Sequence, residues 1–116
     1  MDSLISFLKH AKWSESAENL YFCDDPDLEP VLTNAATALP TYLRGYGFQA
    51  WKVLGRTKIK ATNGYIIPID IITSKPRLLS GPLQTDLVPG CPVPFETEPL
   101  ITPALYLVLA LPPTST

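Results

Sequence analysis

Histidine, cysteine and long apolar runs are all scarce in this 116-residue chain, and each scarcity closes a route to function. His10 is the single histidine, and Cys23 and Cys91 are the two cysteines. A histidine-dependent triad would have to join His10 to Cys23 or to a serine such as Ser14, and nothing in the spacing supports it. A zinc site needs about four Cys or His ligands, more than the chain contains. Two cysteines are also too few for a disulfide framework, so both are read as free thiols in a reducing, intracellular compartment. The apolar run 104–111 falls far short of the ~20 residues that a membrane helix requires. At the N-terminus, Lys9, His10 and Lys12 interrupt the apolar positions and no cleavage-type pattern follows, so no secretory signal is expected.

Other chemical signatures are missing as well. Gly45, Gly47 and Gly55 match neither glycine-rich phosphate-binding pattern. Asp24, Asp25, Asp27 and Glu29 lack the spacing and the glycine of a calcium loop, and suit the start of a helix. Glu96 and Glu98 would lie ~7 Å apart on one face of an extended segment, as any two such residues would. No catalytic residue, metal, cofactor or small-molecule substrate is inferred, and the chain reads as non-enzymatic.

Lysine and arginine stop at Arg77. Seven of the nine basic residues lie between positions 44 and 77: Arg44, Lys52, Arg56, Lys58, Lys60, Lys75 and Arg77. Asp70 is the only acid among them, whereas acids prevail on either side. The net charge of −2 therefore hides a cationic centre between two anionic flanks. Such a field can recruit anionic partners or bind the chain's own acidic parts.

What the chain does contain is the material of one globular domain, 1–116. A hydrophobic share of 46% with 17% charged residues excludes disorder. Proline is abundant, with nine of its 13 residues from Pro76 onward, which rules out long helices there. Together with plentiful Leu, Ser and Thr, this resembles the composition of compact viral accessory proteins.

The expected fold is α+β: N-terminal helices packed on a mostly antiparallel β-sheet, with a proline-rich C-terminal half. Residues 1–47 should be mainly helical, 48–111 mainly β, and 112–116 a polar tail. Leu4, Phe7, Leu8 and Ala11 recur at helical spacing behind an Asp2 or Ser3 cap, predicting a helix that ends near Trp13, with a loop over 14–19. A second helix follows the acids at 24–27. Leu28, Val31, Leu32, Ala35, Ala36, Leu39 and Leu43 line one face of it, and Pro40 should kink or break it. The period then changes. Strands are expected over 48–54 and 56–61, or as one strand bent at Gly55, and over 65–73, with short ones near 78–79 and 93–95. The run 104–111 is fully apolar, so it should lie centrally or at an oligomer contact.

Asn63-Gly64 suggests a hairpin joining 56–61 to 65–73. A three-residue loop, Thr62-Asn63-Gly64, with Gly64 in a bulge would pair Ala61 with Tyr65. Ile59, Ile67, Ile69 and Ile71 would then share one face, and Arg56, Lys58, Lys60, Pro68 and Asp70 the other. Pro68 would leave its strand bonded on one side only at that point. Arg56, Lys58 and Lys60, with Lys52 and nearby Trp51, thus form a candidate surface for an anionic partner, combining cations with an aromatic as single-strand binders do.

These observations point to a small accessory or interaction protein that self-associates, most simply as a two-fold homodimer. Leu105, Leu107 and Leu109 are the candidate interface, because the apolar excess asks for cover. The alternative is a nucleic-acid-binding regulator that uses the basic stripe. An acidic protein partner fits the same stripe.

Overall fold

Two short helices and ten strands in two antiparallel sheets organise the described part of the chain, residues 2–61, 63–72, 75–80, 82–102 and 104–112 of a computed structural model. The fold is mostly β, and only loosely an α+β arrangement.

Helix α1 spans Asp2–Leu8 and stops well short of Trp13. The Trp13 indole N–H donates to the Leu8 carbonyl at 3.3 Å, occupying one of the acceptors that a helix C-terminus leaves open. Trp13 itself opens strand β1, Trp13–Ala17, which pairs with β2, Leu20–Cys23. The expected loop over 14–19 is thus largely a strand. Its polar residues suit an edge position, and Asn19, with φ of 66°, makes the reversal in a conformation that asparagine tolerates.

Helix α2 spans Leu28–Ala36, with Pro30 harmlessly in its first turn. It ends before Pro40. The Ala38 and Leu39 N–H groups reach back three residues to Ala35 and Ala36, and the Thr37 hydroxyl donates to the Asn34 carbonyl at 2.7 Å. The residue before a proline is pushed out of the helical region, so the chain resumes only as a 3-10 turn, Thr41–Leu43.

Strand β3, Gly47–Val53, and strand β4, Thr57–Lys58, are separated by a bend at Gly55 and belong to different sheets. A side chain at Gly55 would overlap that of Asn19, so the close crossing depends on glycine. The remaining strands are β5 Gly64–Ile71, β6 Arg77–Ser80, β7 Leu83–Asp86, β8 Val93–Phe95, β9 Leu100–Ile101 and β10 Leu105–Leu111. The first sheet runs β1-β2-β3-β10-β5-β8 and the second β4-β9-β6-β7.

The expected hairpin does not form. Strand β4 pairs with β9, while β5 pairs with β10 and β8, so Ala61 does not face Tyr65 and Arg56 does not face Asp70. The reason lies in β5. Ile66, Ile67, Pro68 and Ile69 are all buried, so this strand has no solvent face for the basic stripe to share. A strand apolar on both faces takes a central place with neighbours on both edges. Pro68 sits where the register against β10 slips, beyond the stretch that β8 reaches. Thr62, Thr73 at the end of the expected strand 65–73, and residues 113–116 of the expected tail lie outside the described residues.

Strand β10 is the spine. It is hydrogen-bonded to β3 along its whole length and to β5 over most of it. Val108 and Ala110 join Leu4, Leu8, Leu28 and Ala35 of the helices in one buried cluster. Leu105, Leu107 and Leu109 point the other way, into a second cluster with Ile59, Leu78, Phe95 and Ile101. Their exposures of 0%, 0% and 2% within a single chain correct the reading of these leucines as an oligomer interface. The second sheet, absent from the sequence-based picture, supplies the cover that a second copy was invoked to provide.

Candidate functional site: a basic face on the second sheet

From Arg56 to Lys60 the side chains alternate strictly. Thr57 and Ile59 are buried, whereas Arg56, Lys58 and Lys60 are exposed. The inward residues explain the arrangement. Ile59 belongs to the inter-sheet cluster, and Thr57 lies opposite Ile101, so the intervening cations must face solvent. The stripe therefore survives the loss of its hairpin.

Cross-strand pairing extends this face. Lys58 lies opposite Leu100, Leu100 opposite Leu79, and Leu79 opposite Gln84. Arg77, further along, is held by Asp86 at 3.3 Å. Arg56, Lys58 and Lys60 have no carboxylate within ion-pair distance among the described residues. Strand β4 is also an edge strand. Because the Ile59 N–H donates to the Pro99 carbonyl at 2.9 Å, the peptide groups of Lys58, one residue away, point outward from the sheet. Three uncommitted cations thus flank an open strand edge.

The other two residues of the candidate set lie elsewhere. Lys52 is on β3, on the helix-bearing face of the first sheet. Its Nζ sits 5.0 Å from the Trp13 ring centroid and 5.3 Å from that of Tyr21. It occupies the middle of a row formed by Glu15, Tyr21, Lys52, Tyr106 and Asp70 on five adjacent strands. Asp70 is bridged to Lys9 at 3.8 Å. Burial, reinforced by Asp70, raises the pKa of the Tyr106 phenol. Lys52 is therefore part of an aromatic box, a use of cation–π attraction that sequence spacing did not reveal. Its only signal was Lys52's place between Trp51 and Val53 in a strand.

Trp51 points to the opposite face. It packs against Phe22 with centroids 5.0 Å apart, and its indole N–H donates to Gln49 Oε1 at 3.3 Å. The structure thus assembles Arg56, Lys58 and Lys60 but does not add Lys52 or Trp51 to them.

Among the residues weighed for chemistry, His10 is exposed in the turn after α1, and Glu96 and Glu98 are exposed. Cys23 is buried and Cys91 exposed, both free, and burial pushes the Cys23 thiol pKa up; a hydrogen bond from the Asp25 backbone works against this, and the charges of Asp25 and Asp24 add to it. The acids before α2 have local tasks. Asp25 accepts the backbone N–H groups of Lys12 at 3.2 Å and Asp27 at 2.9 Å, and Asp24 accepts the Ser14 hydroxyl. Among the described residues no three His, Cys, Asp or Glu side chains converge where a metal ion could sit. No helix among them is long and apolar enough to cross a membrane. Compared with protein families, with curated proteins and with solved structures, the chain matches none.

Proposed function

We propose that this chain is a non-enzymatic interaction protein that docks an acidic segment of a partner protein on the outer face of its second sheet. The observation that carries the reading is the set of three exposed cations, Arg56, Lys58 and Lys60, which among the described residues form no ion pair and stand beside the outward edge of β4. An extended chain with carboxylates at alternate positions would meet these cations while its backbone paired with the edge. The nucleic-acid reading loses its stacking element, because Trp51 lies in the other sheet and no aromatic side chain stands in the row from Lys58 to Gln84.

Fluorescence anisotropy with a glutamate-rich peptide tests this. Arg56→Gln/Lys58→Gln/Lys60→Gln should weaken binding roughly three- to hundredfold, at ~0.2–1 kcal/mol for each solvated pair. Equal affinity of the variant and the native chain would refute the proposal. Tighter binding of single-stranded DNA than of the peptide, lost in the same variant, would replace it with the nucleic-acid reading.

A further inference from the structure

Strand β3 is only half covered on its β2 side. β2 pairs with Val53, Lys52 and Trp51 and goes no further. Beyond that point the chain follows β1 instead, with the Asp24 N–H donating to the Lys12 carbonyl at 3.2 Å and the Lys12 N–H donating to Asp25. The Leu54 N–H donates to the Asn19 carbonyl at 2.9 Å, so alternate residues of β3, down to Phe48, aim their peptide groups at the β2 side. The Phe48 N–H and C=O therefore open onto a notch where no strand pairs with them among the described residues.

Space lies on both faces of this notch. On the helix side, a groove of about 580 Å³ is bounded by Asp25, Leu28, Glu29, Leu32, Tyr46 and Phe48. On the other side, a trough of about 420 Å³ is floored by Phe22 and Trp51 and rimmed by Ser14, Glu15 and Gln49. A strand laid along Phe48 would send alternate side chains into the two spaces. The helix-side groove combines apolar walls with the acids Asp25 and Glu29, and among the described residues no lysine or arginine lines either space.

We infer that this notch takes an extended basic peptide segment by strand addition, with cationic side chains whose aliphatic stems lie on Leu28, Leu32 and Phe48 and whose heads reach Asp25 and Glu29. Its small apolar side chains rest on Phe22 and Trp51. Backbone hydrogen bonds to Phe48 give affinity, and the two spaces give selectivity. Snorkelling lysine or arginine suits such a groove because the stem is apolar and the head charged. The site is separate from the basic face and opposite in charge, so either proposal can fail alone.

The test is a short capped peptide alternating Lys and Val, titrated into the full chain, with hydrogen exchange read at the Phe48 amide. Binding should slow Phe48 exchange and shift the Trp51 indole N–H resonance. A peptide of the same side chains methylated on every backbone nitrogen should bind about fivefold more weakly, since it loses the one donor to the Phe48 carbonyl and such a hydrogen bond is worth roughly a factor of five. Asp25→Asn/Glu29→Gln should weaken the parent peptide several-fold, with urea unfolding confirming that the variant is folded. Absence of binding, unchanged Phe48 exchange, or equal affinity of the methylated peptide would overturn the inference. So would Phe48 protection in the free protein that disappears on dilution, which would assign the edge to a second copy.

Discussion

Leu107→Ala should destabilise the single chain by about 3 kcal/mol, with no dependence on protein concentration. Leu107 is fully buried on β10, flanked by Trp51 of β3 and Pro68 of β5, and belongs to the cluster between the sheets. Truncation removes three carbons, worth about 2.4 kcal/mol at ~0.8 kcal/mol each. The space they leave adds more, because strands bonded on both edges cannot collapse into it, and measured Leu→Ala losses run from about 2.7 to 5.0 kcal/mol. The assay is urea unfolding followed by Trp fluorescence. With a urea m value of roughly 1–2 kcal/mol/M, a loss of 3 kcal/mol lowers the midpoint by about 1.5–3 M. A loss under ~1 kcal/mol, or one that grows on dilution, would refute the assignment of this strand to the interior of one chain.

Gly64→Ala should cost about 1–3 kcal/mol by the same assay, because an added Cβ would meet the Ala110 carbonyl oxygen at 2.5 Å, and that oxygen belongs to the central strand. Gly47→Ala meets nothing within 4 Å and should stay within ~0.5 kcal/mol of the parent. In thiol labelling of single-cysteine variants, Cys91 should react in the native state and Cys23 only on unfolding. The raised thiol pKa of buried Cys23 favours folding fully at pH values below its unfolded pKa, near 9.0, and this contribution disappears as pH rises through the folded pKa. Cys23→Ser should therefore flatten the stability profile above that pH, and an unchanged slope would contradict the burial of the thiol.

Several features were legible in the sequence because they are local. The 3.6 period marked α2, the apolar run 104–111 announced a strand with no free face, and the Arg56–Lys60 alternation fixed which side chains face solvent. The largest misreading concerns which strand pairs with which, and smaller ones concern the end of α1 and the 14–19 segment. Asn63-Gly64 suggested a hairpin, yet Ile66 and Pro68 are as buried as Ile67, which demands neighbours that only β10 and β8 provide. The polar 14–19 segment lacked the apolar alternation of a strand, because an edge strand needs none. The candidate site was half legible. Side-chain direction along β4 could be read, whereas the transfer of Trp51 and Lys52 to the other sheet follows from the crossing at Gly55, which only tertiary packing decides.

The most direct test of the proposed docking face is a residue-resolved titration. A glutamate-rich peptide is added to isotope-labelled protein at low salt, and the amide shifts of the whole chain are followed. Saturable shifts should concentrate on Arg56–Lys60 and on the facing positions Leu79 and Leu100, and should fade as salt is raised. Shifts centred instead on Lys9, Lys12 or Lys52, or no saturable shift at any residue, would contradict the account.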